Sequence, residues 1–421
     1  MNVELERTIG LRTAVALYTG AVLGTGILVL PAVAAETAGP ASIVAWAGLC
    51  LLSLPLALTF AALARREPVA GGFSAYIERA FGRRWGAIAG WLFLAQFPTG
   101  SVVAGLIAGS YLAAPLGLGR EGTFLIGGSM VVAAYALNLL GLRIAGTVQG
   151  LVTAGVLGLV ILILVFAARD VQGDAFVPFA SRGWSAVGVA ATQLFWAFVG
   201  WEAITPLAQE FRNPERDLVR ASLISVGLVA LLYLALAVVT IGTRAYGMGV
   251  SAGLPPFALM GGKAFGPGAL PVIGLAGGVL TFLPLNAYVA GMSRLVYALA
   301  QAGDLPLWAG ALHRKTKVPH RALLVMGALS VVAIALAYRY QLGISSLLPL
   351  STSSFIATYV MSMAAAARLL KGLPAALAVV SLVGCLLILL FVGALVLWVA
   401  TVALASVLYG LTAGRGARPR L

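Results

Sequence analysis

Two short stretches of this 421-residue chain carry the residue types that could do chemistry in a largely apolar sequence. The first is Gly20 followed by Gly24-Thr25-Gly26; the second is Phe195-Trp196-Ala197-Phe198-Val199-Gly200-Trp201-Glu202. Glycine in a helix interior costs about 1 kcal/mol relative to alanine, so Gly-Thr-Gly weakens a helix locally and frees its backbone groups. Amides freed at Gly24, Thr25 and Gly26 would head a half-helix, whose partial positive charge favours a carboxylate. Carbonyls freed near Val22 and from Trp196 to Val199 would accept an ammonium group. Together the two stretches suit a zwitterion. Close helix packing is the competing explanation for the glycines, because Gly20 and Gly24, like Gly105 and Gly109, have small-xxx-small spacing. Spacing leaves both explanations open. Glu202 is the one acidic residue well inside an apolar span, which marks it as a functional candidate. It is read either as a proton-coupling group or as a neutral glutamic acid hydrogen-bonded to a helix break.

The elements that must position these residues are long apolar helices. The chain is 61% hydrophobic and 10% charged, where a soluble protein carries roughly 25% charged residues. A bilayer core needs about 20 apolar residues as a helix. Twelve such segments are expected, at 11–35, 41–64, 85–115, 122–141, 145–168, 185–210, 219–243, 269–300, 320–338, 344–367, 373–390 and 394–411. The last two are divided only by a turn near Val392-Gly393, so eleven is the alternative count. No polar linker divides the chain, which reads as one transmembrane domain over 1–421. The weakened stretches fall in the first and sixth segments, each heading a group of five. Broken helices at matching places in two halves point to a binding site at the membrane midplane.

Charge sets the orientation. With the N-terminus inside, all but six of the 27 basic residues fall on the cytoplasmic side; Arg120, Arg169, Arg182, Arg244, Lys263 and Arg339 lie outside. That bias is the positive-inside pattern, so the net charge of +14 is topological and implies no nucleic acid. Residues 68–84 are expected to form an amphipathic cytoplasmic element, and 414–421 a short basic tail. Ala32-Val33-Ala34 resembles a signal-cleavage site; the long apolar run before it and the acidic Glu4 and Glu6 favour a retained first helix. Cys50 and Cys385 sit in separate apolar runs, and His313 and His320 share one basic loop, so no metal site or cofactor is implied. Gly249-Val250-Ser251-Ala252-Gly253 fits a hydrolase elbow. However, Ser251 is expected outside and both histidines inside, which keeps a Ser–His pair apart. The chain is not expected to be an enzyme.

Further motifs carry a family resemblance. Gly24-Thr25-Gly26-Ile27, then Ala38-Gly39-Pro40, resembles the first-helix signature of the amino acid–polyamine–organocation (APC) superfamily. Pro68-Val69-Ala70-Gly71-Gly72-Phe73, with Tyr76 and Phe81-Gly82, is similar to its first cytoplasmic loop. Glu210-Phe211-Arg212-Asn213-Pro214-Glu215-Arg216-Asp217 resembles the segment after its sixth helix. Ser293-Arg294, Tyr297-Ala298, Gly303-Asp304-Leu305-Pro306 and Pro319-His320-Arg321-Ala322 resemble its eighth helix and exit loop. Each motif is modest alone, and their order along nearly the whole chain is specific. The stretches around Gly24 and from Phe195 to Asp217 most resemble bacterial exporters of methionine and branched-chain amino acids.

The resemblance implies an all-α polytopic membrane protein with twelve transmembrane helices in a LeuT-like 5+5 inverted repeat. The repeats would span 11–168 and 185–367, with two added helices over 373–411. It implies substrate held by the Thr25 and Gly26 amides and the Val22, Trp196 and Val199 carbonyls, with Gly24 at the break. Trp196 and Phe198 would give gate or pocket surface, and Asn286 would face the substrate. The expected cargo is a neutral apolar amino acid, exported across a bacterial inner membrane by alternating access, with protons as a possible coupling ion and lipids around it. Both termini would be cytoplasmic. One departure stands out: many relatives carry a lysine in the fifth helix, whereas Leu151 to Val160 holds no charge and Val156 is near that position. Uptake or exchange on the same fold, a channel, or a non-transporting sensor are the alternatives.

Overall fold

The computed structural model describes residues 9–66, 72–141, 146–202, 205, 211–247 and 255–413, and among these the regular structure is helical. The first segment is divided into α1 (Leu11–Val22) and α2 (Leu30–Ala38), followed by α3 (Ser42–Arg66), α4 (Gly72–Phe81), α5 (Arg83–Ala95) and α6 (Phe97–Ala113). Next come α7 (Gly119–Leu139), α8 (Gly146–Ala167), α9 (Ser185–Leu194) and α10 (Pro214–Gly242). The remainder are α11 (Pro256–Phe265), α12 (Leu270–Gln301), α13 (His320–Arg339), α14 (Ile344–Leu369), α15 (Leu373–Leu389) and α16 (Val396–Ala413).

Nine helical segments among the described residues are long and apolar enough to cross a membrane. The number falls below the twelve expected from hydropathy for a physical reason. The first and sixth segments are cut by breaks, and α15 is only 17 residues long. Leucines project from the outer faces, with Leu51, Leu151, Leu390 and Leu397 each 70% or more exposed. Such a surface suits hydrocarbon, where helices satisfy their own backbone groups.

Local chemistry explains several boundaries. Helix α10 opens on Asn213-Pro214 with Glu215 and Asp217 in its first turn; proline at a first turn loses no helical hydrogen bond, and acids favour that end of the dipole. The third segment is interrupted at Gln96, between α5 and α6. Pro98, just beyond it, has no N–H to give to the preceding turn. Helix α4 lies within the expected element 68–84, whereas Pro68 to Gly71 and residues 249–253 lie outside the described residues. The element not anticipated is α11, a ten-residue helix between α10 and α12.

The halves of the first segment pack differently: α1 rests on α10, and α2 rests on α9 and α10. Thr19 donates to Ser225 at 3.2 Å, and Ser225 donates to the Val15 carbonyl at 3.3 Å. Below α1, Ile9 pairs in parallel with Phe211, and the Arg212 amide donates to the Ile9 carbonyl at 2.9 Å. Arg65, at the end of α3, forms an ion pair with Glu215.

Candidate functional site

The α-helix is interrupted in both weakened stretches. Helix α1 stops at Val22, Gly24 takes φ −39° and ψ −145°, and a 3-10 turn over Thr25–Leu28 leads to α2. In the second stretch α9 stops at Leu194 and a 3-10 turn covers Phe195–Phe198. Val199 is then extended (φ −77°, ψ 137°) and Gly200 has φ +132°. The breaks touch each other. A Cβ on Gly26 would lie 3.1 Å from the Ala197 Cβ and 3.2 Å from its Cα, and one on Gly200 would lie 2.9 Å from the Ala21 carbonyl oxygen. The Gly200 distance is closer than real Cβ atoms come and the Gly26 distances are tighter than most, so two residues without side chains ease the contact.

Freed carbonyls need donors in a dry interior. Tyr233 of α10 supplies one: its hydroxyl is 2.9 Å from the carbonyls of both Val22 and Ala197. Its ring packs in a buried aromatic group, tilted against Trp46 (4.9 Å) and edge-on to Phe198 (5.2 Å). Glu202 is buried, and its carboxyl accepts from the Gly200 amide at 3.0 Å and from the Tyr359 hydroxyl. The glutamic acid therefore ties the second break to α14.

Where the breaks meet there is a cavity of about 90 Å³, several times the ~10–15 Å³ a water needs. Ala21, Val22, Gly24 and Gly26 line it from the first break, and Trp196 and Val199 from the second. Gln96, Phe97, Gly100, Ser101 and Ala104 form the α5–α6 wall; Pro284, Leu285 and Tyr288 of α12 and Phe355 of α14 close the rest. Among the described residues no charged side chain lines it. The aromatic residues of the lining touch in pairs: Trp196 meets Phe355 edge-on at 5.8 Å, and Phe97 stacks on Tyr288 at 6.3 Å. Hydroxyls brace the wall from behind. Ser101 donates to Ser330 at 2.8 Å, Ser330 meets Tyr135 at 3.0 Å, and Thr99 meets Ser351 at 2.7 Å.

The expected site residues divide accordingly. Val22, Gly24, Gly26, Trp196 and Val199 come together around the cavity. The Thr25 backbone lies between two of them at the start of the 3-10 turn; its side chain is outside the described residues. Phe198 is not in the lining but packs on Trp46 and Tyr233. Asn286 is turned to α7, where its carbonyl and side-chain oxygen accept from the Asn138 amide at 3.2 and 2.9 Å. Its neighbours Leu285 and Tyr288 take the cavity face. Glu202 stands behind the lining, at the Gly200 end of the break. Val156 is buried in the apolar core. The glycine question also divides: Gly105 and Gly109 are in backbone contact with α7, whereas Gly20 and Gly24 have open space.

Sequence reasoning missed Tyr233, Tyr288, Phe355, Tyr359 and Gln96. The aromatics resemble many others in apolar runs, and only three-dimensional contact selects them. Gln96 left a signal, a lone amide side chain in the apolar third segment two residues before Pro98. No group of three or more His, Cys, Asp or Glu residues able to hold a metal occurs among the described residues.

Comparison with known proteins adds a second line of observation. A family profile described as Amino acid permease matches residues 9–407. The "Uncharacterized amino acid permease YecA" of Bacillus subtilis is 35% identical over 413 residues, covering 98% of this chain and 97% of that protein. The "L-methionine/branched-chain amino acid exporter YjeH" of Escherichia coli is 32% identical over 394 residues, 92% of each. The "Branched-chain amino acid permease BcaP" of Bacillus subtilis is 27% identical over 349 residues, covering 78% of this chain and 74% of that protein.

Proposed function

The chain belongs to the amino acid permease family of the APC superfamily, and on that premise we propose that it is a secondary active carrier of neutral apolar amino acids. Methionine, leucine, isoleucine and valine are the proposed cargo, and export by alternating access the proposed mode. The observation that carries this reading is the cavity at the junction of the two breaks, mostly apolar in its lining and, among the described residues, without a charged side chain. A cationic or acidic cargo side chain would need a buried counter-charge, and the described lining holds none.

In this mechanism the cargo carboxylate meets the amides that open the turn at Thr25 and Gly26, and its ammonium meets the Val22, Trp196 and Val199 carbonyls. A 3-10 turn leaves its first amides without partners inside the turn, which is what an anionic group needs. The aliphatic or thioether side chain lies between Trp196, Phe355 and Leu285. The two halves over 11–168 and 185–367 are proposed as inverted five-helix repeats, with 373–411 added, giving twelve spans in a bacterial inner membrane and cytoplasmic termini. Glu202 is the proposed proton-coupling group. Uptake or exchange by the same carrier is the second reading, favoured by the likeness to a branched-chain permease.

Counterflow in proteoliposomes tests the reading. Vesicles loaded with unlabelled methionine are expected to accumulate labelled methionine and leucine saturably and stereospecifically, while excluding arginine and glutamate. Folded protein that exchanges no amino acid would overturn it; flux that never saturates would indicate a pore.

A further inference from the structure

The cavity wall contains a polar group that neither the carboxylate nor the ammonium of the cargo explains. Gln96 sits between α5 and α6 and lines the cavity, with only 1% of its surface exposed. Its side-chain nitrogen has no hydrogen-bond partner among the described residues. The oxygen of the same amide lies over Gly100, where an added Cβ would meet it at 2.9 Å and the Trp196 ring at 3.1 Å. Amide and indole therefore converge over Gly100, and the absence of a side chain there lets both pack against the α6 backbone at the cavity wall.

A buried amide left unpaired costs about 1–3 kcal/mol, and buried polar atoms in native proteins are nearly always paired. The neighbouring hydroxyls are already engaged. Thr99 and Ser351 bond each other and the backbone carbonyl of Gln96. Ser101 is held by the Pro98 carbonyl and Ser330. No acceptor among the described residues reaches this nitrogen, and Gln96 lines the cavity, from which a partner can enter. On the carrier reading, on which this inference rests, the two charged ends of the cargo are met by backbone at the breaks. What remains to face Gln96 is the cargo's side chain. An uncharged amide offers both a donor and an acceptor and no counter-charge, so it selects a neutral side chain with a polar atom.

We propose that Gln96 is a specificity-determining residue of this site, hydrogen-bonding a neutral polar side-chain atom of the cargo, a hydroxyl or thioether, and favouring such amino acids over their all-carbon isosteres. This narrows the cargo class, because methionine then stands apart from leucine and valine, and threonine joins it.

Two isosteric pairs test the proposal in proteoliposome counterflow: threonine against valine, and methionine against norleucine. The wild type is expected to favour the polar member of at least one pair by about tenfold, which corresponds to ~1.4 kcal/mol. Gln96→Leu is expected to bring that ratio close to one, and Gln96→Asn, which keeps an amide, to retain part of it. A merely structural role for Gln96 would lower all four rates together and leave the ratios alone. Equal rates within both wild-type pairs, or a preference that survives Gln96→Leu, would overturn the subsite and leave the carrier standing. If folded wild type exchanged none of the four, the carrier reading and the subsite would both fall. Should Gln96→Leu not fold, the melting temperature of the wild type with each member of a pair reads the same difference, and equal shifts within both pairs overturn the proposal.

Discussion

Tyr233 holds the carbonyls of Val22 and Ala197 with one hydroxyl, 2.9 Å from each. These carbonyls belong to the two different breaks, so a single side chain from α10 joins the halves of the site. Tyr233→Phe keeps the ring against Trp46 and Phe198 and removes only that donor. The expected result is a loss of about 1–3 kcal/mol in stability, read as a lower melting temperature in detergent, together with slower counterflow. Unchanged melting and unchanged transport would show that water satisfies both carbonyls equally well.

Gly24 and Gly26 should respond oppositely to alanine although they are two residues apart. A Cβ at Gly26 would press into Ala197 and the Leu30 side chain, while one at Gly24 has only the Ala21 carbonyl at 4.0 Å. Overpacking of this kind typically costs 1–3 kcal/mol. Gly26→Ala is expected to lower the melting temperature and separate the breaks; Gly24→Ala is expected to melt normally and transport poorly, because its methyl enters the cavity. If Gly24→Ala transports like wild type, Gly24 is not at the binding surface.

Thr25→Pro tests the carboxylate site through the backbone alone. Proline removes the amide at the opening of the 3-10 turn and nothing that holds the turn to α2. Transport should be lost while membrane insertion and the folded yield stay near wild type. Normal counterflow by this variant would rule out the Thr25 amide as a ligand.

The Glu202 carboxyl is bound by the Gly200 amide and the Tyr359 hydroxyl. Glutamine at this position can still accept from both but cannot carry a proton in and out. Glu202→Gln is therefore expected to fold normally and to flatten the dependence of counterflow on pH between two chosen values. An unaltered pH profile would assign Glu202 to holding the helix break against α14.

The apolar helices, the broken stretches and the family were all readable in the order of residues. Each rests on local physics or on motif order: hydrocarbon needs long apolar helices, and glycine weakens a helix wherever it is placed. Val22, Gly24, Gly26, Trp196 and Val199 belong to those stretches, so reading the breaks also reached that part of the cavity. Other features depended on which face of a helix is turned inward, and a segment apolar all round does not encode that. Rotation about the α12 axis sends Asn286 to Asn138 and leaves Tyr288 at the cavity. Rotation of the 3-10 turn puts Phe198 behind the site and Trp196 in it. Tyr233, Tyr359 and Gln96 lie far from both breaks along the chain. Only the packed structure could bring their polar atoms to the backbone groups and the cavity surface that lacked partners.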